Sequence, residues 1–190
     1  MIRIGILGDI GSGKSFVASN FGYPVFNADK EVIKLYKLDK KLYFNLKKKL
    51  PEYIFSFPIN KSEISKAIIS RPENLKKIVK IVHKEVRKKM NLFLIKNKNK
   101  KIVILDIPLL LENKLNRKKD ILIFIQSNKL KTFNRLKKRP NFNKKIFNKF
   151  KKIQLSPKYK KKKSHFVIKN DFKRKTVKNN INNILKKIYK

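Results

Sequence analysis

The chain has 190 residues, no cysteine, and 52 Lys and Arg against 12 Asp and Glu, a formal net charge of +40. That length suits one compact domain with inserts, the missing cysteines exclude disulfides and a thiolate zinc site, and the lack of a long apolar run or signal-peptide pattern leads us to expect a soluble, cytoplasmic protein with no membrane contact. The charge is spread along the whole chain and is mostly Lys, beside abundant Asn and Ile, so A/T-rich codon bias accounts for it better than a nucleic-acid site, which gathers Arg and aromatics into a stripe; no specific nucleic-acid partner is expected.

Ile2 to Leu7 is an apolar run with one Arg and predicts a buried strand. It leads into Gly8-Asp9-Ile10-Gly11-Ser12-Gly13-Lys14-Ser15, which fits G-x-x-x-x-G-K-S/T, the phosphate-binding loop of P-loop NTPases. Phe16 to Phe21 then predicts a helix. Three of the five glycines fall in this loop, where they let the backbone take positive φ and approach a ligand closely. The successive N–H groups from Gly11 to Phe16 form an anion nest with a helix N-terminus behind it. Lys14 supplies a full charge to β- and γ-phosphates, and Ser15 offers a hydroxyl to Mg²⁺. ATP or GTP, bound through Mg²⁺, is the ligand this pattern implies.

Tyr23 to Phe26 predicts a second strand, and a Lys-rich helix is expected from Lys30. Asp29 lies between them, either as a helix N-cap or as a ligand group at a strand's carboxyl end. Residues 34–99 lose the strand–helix alternation. Leu42, Phe44, Leu46 and Leu50 alternate with polar positions, 51–58 is loop-like, and Ser62–Ser70 and Pro72–Ile95 predict helices. His83 and Arg87 lie four apart and share a helical face; spacing alone favours an ordinary solvated face for them. Lys101 to Asp106 is an apolar strand ending in an acid, a Walker-B-like pattern in which Asp106 would hold Mg²⁺ directly or through water.

Ile121–Ile125 predicts a fourth strand, and Asn128–Arg139 a helix with Arg135 and Arg139 on one face. Residues 141–163 begin helical and end in Ser156 to Lys163, a basic run expected to be mobile, either solvated or closing over polyphosphate. Phe166–Ile168 is a fifth strand, ending at Lys169-Asn170-Asp171, and a helix over 173–189 closes the chain. Five strands with helical crossovers imply a P-loop α/β fold with a five-stranded parallel sheet. The P-loop, Asp29, Asp106 and Asn170 all fall at carboxyl ends of strands, where ligands bind in such sheets.

Together, the P-loop, Asn27-Ala28-Asp29, the Leu105 to Glu112 stretch, Arg135 with Arg139, Gln154 with Pro157, and Phe166 to Asn170 resemble dephospho-CoA kinase over essentially the whole chain. The resemblance implies phosphorylation by ATP of the ribose 3′-hydroxyl of dephospho-CoA, the last step of coenzyme A synthesis. It implies a nucleotide core (1–33, 100–135 and 164–190), a helical CoA-binding insert (34–99) and a lid (136–163), in a monomer or weak homo-oligomer. By position, Asp29 matches the family's proposed base and Arg139 its phosphate-contacting lid Arg. His83 and Arg87 match insert residues facing the substrate, Asp106 an acid near the metal or the acceptor, and Asn170 a residue near the adenine. The chain departs from the family at Asn27, which replaces the first acid of an Asp-Ala-Asp triplet, at Phe16, which replaces Thr, and at Asp9, which replaces Gly. The rival readings are another small P-loop kinase of a nucleotide or metabolite, and a basic nucleic-acid-binding ATPase.

Overall fold

A computed structural model describes residues 1–140 and 142–189. The chain forms two compact units, one of Met1–Asn27, Asn97–Phe142 and Ile153–Lys190, the other of Ala28–Lys96 and Asn143–Lys152.

The first unit is built on five parallel strands: β1 (Ile2–Gly8), β2 (Val25–Asn27), β3 (Ile102–Asp106), β4 (Ile121–Gln126) and β5 (Phe166–Lys169), in the order β2-β3-β1-β4-β5. These strands read as continuous apolar runs because both faces of the sheet are covered. One face carries Ile4, Ile6, Ile104 and Ile123 against α1 (Lys14–Ser19) and α9 (Arg174–Ile188), which contribute Val17, Ala18, Val177 and Ile181. On β1 the alternate residue Arg3 points the other way and is 6% exposed. Its guanidinium pairs with Asp120 at 3.0 Å, and the same nitrogen donates to Leu115 O. Burial pulls the Arg3 pKa below its ordinary value, against the pull of Asp120. Arg at this position is explained by its geometry, since one planar group serves a carboxylate and a carbonyl. Also in this unit are α6 (Lys129–Lys137) and α8 (Pro157–Lys162), which packs on β1.

In the second unit the spine is α5 (Pro72–Lys96), flanked by α2 (Ala28–Leu38), α3 (Lys40–Lys49) and α4 (Lys61–Ser70). Leu75, Ile78, Val82, Val86, Met90 and Leu94 form its buried stripe, the i, i+3, i+4 spacing of one helix face. Arg71 is extended, as a residue before proline prefers, so α4 stops and Pro72 starts α5. Asp39 caps α3 by accepting from Leu42 N at 2.8 Å. The last helix of this unit, α7 (Lys144–Ile153), is tied to the end of α4 by the Lys149 ammonium, which donates to Ile68 O and Ile69 O. A cation there meets carbonyls left unpaired at a helix C-terminus.

Several expectations are corrected. The alternation at Leu42 to Leu50 belongs to a helix: Leu42, Leu46 and Leu50 recur every four residues and are buried, while Phe44 is 64% exposed. α2 starts at Ala28, so Asp29 is its second residue and not its N-cap. α6 ends at Lys137, and Arg139 lies in the turn beyond, so it does not share a helical face with Arg135. The Ser156–Lys163 run is ordered as α8 rather than mobile. Ser156 caps it, accepting from Tyr159 N, and Lys160 is 1% exposed.

Candidate active site

The loop from Gly8 to Ser15 joins β1 to α1. Gly13 takes φ 87 as the left-handed N-cap of α1, a conformation a side chain would strain. Space forbids one too, since an added Cβ would fall 2.2 Å from Asn170 Nδ2. Lys14 is buried, and its ammonium donates to Gly8 O (3.2 Å) and Asp9 O (2.8 Å). The cation is thus folded over its own loop. Ser12 is 1% exposed, and its hydroxyl has no hydrogen-bond partner among the described residues. A buried hydroxyl of this kind is costly unless something meets it. Phe16 turns its ring to the sheet core, which leaves its backbone as its contribution to the loop.

Asp106 ends β3, the strand beside β1, and is 3% exposed. Asn27 ends β2 in register with it. The Asn27 amide donates to Asp106 Oδ2 at 2.5 Å and to Ser15 Oγ at 3.4 Å. A carboxylate and the P-loop hydroxyl are therefore held on one amide. One carboxylate and one hydroxyl suit Mg²⁺, which keeps several waters and takes few protein ligands beside substrate phosphates. Among the described residues no group of three or more His, Cys, Asp or Glu forms a metal cage, and a Mg²⁺–nucleotide site needs none.

Asn170 follows β5 and is 4% exposed. Its side chain donates to Ser12 O at 2.9 Å and accepts from Phe172 N at 2.9 Å. Arg139 is exposed in the turn after α6; its N–H donates to Leu136 O, and its carbonyl accepts from Phe142 N. Residues Gly11 to Phe16, Asp106 and Asn170 thus fall together in the sheet unit. Asp29, His83 and Arg87 belong to the helical unit. Asp29 is exposed in the first turn of α2, where a helix N-terminus favours an acid. His83 is half-buried and Arg87 exposed, one turn apart on α5.

Two contacts escape sequence reasoning, although Glu112 and Arg135 stand in the stretches that carry the resemblance. Glu112 accepts from Leu155 N at 3.0 Å and pairs with buried Lys160 at 2.8 Å, an ion pair rather than a directed hydrogen bond. Phe172 carries Arg135 over its ring, 4.2 Å from the centroid. No local pattern marks either contact; only the Asn170-x-Phe172 spacing of an Asx turn was available as a signal.

The sequence model of the dephospho-CoA kinase family matches residues 2–176. A relative from Wolbachia pipientis wMel with the name dephospho-CoA kinase is 36% identical over 170 residues, 87% of each chain. Among solved structures, TT1252 from Thermus thermophilus is 26% identical at a TM-score of 0.75, covering 98% of this chain and 97% of that one. Dephospho-CoA kinase from Campylobacter jejuni shares the fold at a TM-score of 0.63 and 19% identity, over 98% of this chain and 96% of its own. No helix among the described residues is long and apolar enough to cross a membrane.

Proposed function

The chain belongs to the dephospho-CoA kinase family, and we propose how its own residues divide the transfer of the γ-phosphoryl group of ATP to the ribose 3′-hydroxyl of dephospho-CoA. The observation that carries this reading is the amide of Asn27, which ties the P-loop hydroxyl of Ser15 to the carboxylate of Asp106 across neighbouring strand ends. Polyphosphate chemistry needs a phosphate cradle and a metal-holding acid side by side.

The N–H groups from Gly11 to Phe16 cradle the phosphates, and Lys14 leaves its loop carbonyls to meet the β- and γ-oxygens. A bound Mg²⁺ would neutralise charge across those phosphates, with Ser15 and Asp106 to hold it. Asp29 is the base that accepts the proton of the attacking hydroxyl. It is supported by its exposure, by its place two residues after Asn27, and by the family pattern. Arg139 meets charge that develops on the transferring group, a task suited to a planar cation. His83 and Arg87 hold the acceptor from the insert at 34–99. The lid at 136–163 narrows to α7 and its flanks, since α8 carries the buried Lys160.

The test offers ATP and Mg²⁺ to the protein with dephospho-CoA, AMP, CMP or shikimate in parallel, and follows ADP and phosphorylated product. Product from dephospho-CoA alone is expected. Phosphorylation of another acceptor in preference would overturn the assignment of the insert.

A further inference from the structure

We propose that the turn Asn170-Asp171-Phe172 is a brace that sets the phosphate loop in its binding conformation, with Asn170 and Phe172 as positioning residues for the transfer. The proposal rests on reading Gly8–Ser15 as the loop that takes the phosphates of ATP.

Asn170 is held at three points: Nδ2 donates to Ser12 O, Oδ1 accepts from Phe172 N, and the backbone N–H donates to Gln126 O at 2.8 Å. Its plane is therefore fixed from the end of the sheet. In a trans peptide the C=O and the following N–H point opposite ways. Pinning Ser12 C=O towards Asn170 therefore aims the Gly13 N–H away from it, on the other side of that peptide. A loop that binds anions through backbone N–H groups depends on which way each peptide faces.

Phe172 supplies the second half. It has φ 66, a left-handed conformation that a bulky aromatic rarely adopts. Strain of this kind persists only where the surroundings impose it, and here the turn is held through the Phe172 N–H on Asn170 Oδ1 while the ring is seated between Gly13 and Arg135. The effect is to lay the ring beside Gly13: a Cβ there would meet Phe172 Cε1 at 3.0 Å. The other partner of the ring is Arg135, 4.2 Å from its centroid. The next residue on α6, Leu136, closes on Gly11, where an added Cβ would fall 2.7 Å from Cγ. Loop, α6 and the post-β5 turn thus hold one another in a closed circuit. Because Arg139 leaves α6 two residues after its last turn, the same circuit fixes the root of that arginine. Asn170 acts on ATP through Ser12 and Gly13 rather than by its own contact.

Three variants test this. Asn170→Asp keeps the acceptor for Phe172 N but turns an acceptor towards Ser12 O. Phe172→Asn tolerates the left-handed backbone and removes the ring. Phe172→Tyr keeps both. The affinity of a fluorescent ATP analogue, KM for each substrate, kcat and the urea midpoint are measured for each. Asn170→Asp is expected to weaken ATP binding by about 10-fold or more, the scale of a buried carbonyl losing its donor. Phe172→Asn should lose several-fold, Phe172→Tyr should match wild type, and KM for dephospho-CoA should stay within about twofold in all three. Unchanged ATP affinity in folded Phe172→Asn or Asn170→Asp overturns the brace, as does an equal loss for both substrates. A wild-type protein that binds the ATP analogue but leaves dephospho-CoA untouched would instead overturn the acceptor assignment, with the brace still read from the analogue.

Discussion

Replacing Glu112 by Gln leaves the Lys160 ammonium, 1% exposed, without the carboxylate 2.8 Å away that balances it. Breaking a buried pair from one side costs about 3–5 kcal/mol, because the remaining charge stays desolvated. The reverse change, Lys160→Met, should cost less, about 3 kcal/mol, since Glu112 keeps the Leu155 N–H at 3.0 Å. Making both changes removes the charge imbalance, and the double variant should return to within about 1–2 kcal/mol of wild type. Urea unfolding followed by far-UV circular dichroism reads all three, urea being preferred to guanidinium because it leaves the +40 charge unscreened. A loss under about 1 kcal/mol in Glu112→Gln, or a double variant as weak as the sum of the singles, would refute the argument.

Asp29→Asn should keep ATP affinity while turnover falls by about 10²–10⁴-fold, measured by single-turnover transfer to dephospho-CoA; an unchanged rate removes Asp29 as the base. Arg139→Lys keeps the charge but loses the planar fork, so kcat should drop by roughly 10-fold or more with KM for dephospho-CoA little changed; wild-type kinetics would count against a phosphate role. Asn27→Asp puts a second carboxylate against Asp106, so the thermal midpoint in EDTA should fall and Mg²⁺ should raise it more than in wild type; equal responses to Mg²⁺ would show that the pair does not face the metal. Burial pushes the Tyr36 phenol up to about 12. The folded state therefore holds the proton longer than the unfolded chain: stability is whole below pH 10, and on the order of 3 kcal/mol of it is lost as pH rises from 10 to 12. Tyr36→Phe lacks that loss, so the two stability curves should converge or cross over this window, and parallel curves would contradict the burial argument.

The sheet and the P-loop were legible because their signals are local. An apolar run bounded by glycines, an acid at a strand end and a fixed Gly-Lys-Ser spacing need no partner elsewhere in the chain. The segment at Leu42–Leu50 was harder, because even spacing fits a strand as well as every second step of a helix. Burial chose Tyr43 over Phe44: the Tyr43 hydroxyl donates to Phe55 O and its ring meets Phe57, contacts that no local pattern announces. Arg139 was legible as a residue but not in its setting, since helix ends are set by caps, and α6 stops two residues short of it. In sequence Asp29 reads as a cap as easily as a ligand group, because the strand is expected to end at Phe26 and the helix to begin near Lys30, whereas the strand ends at Asn27 and the helix begins at Ala28. The Glu112–Lys160 pair spans 48 residues and the Asn170–Ser12 bond 158. In a chain this rich in lysine, nothing in the sequence marks one lysine as internal. The positive φ of Phe172 runs against residue preference, so propensity argues the wrong way there.

Lys160 also makes the protein its own reporter of opening. Among the described residues every lysine but Lys14 and Lys160 is at least partly exposed, where reductive methylation or acylation reaches it readily, whereas Lys160 reacts only when the packing of α8 on β1 gives way. Its modification rate, read by mass spectrometry of the peptide around Tyr159, therefore tracks how often the sheet unit unfolds locally. ATP, which binds the folded form, should slow that site and Lys14, which meets the phosphates, while the exposed lysines label at their usual pace.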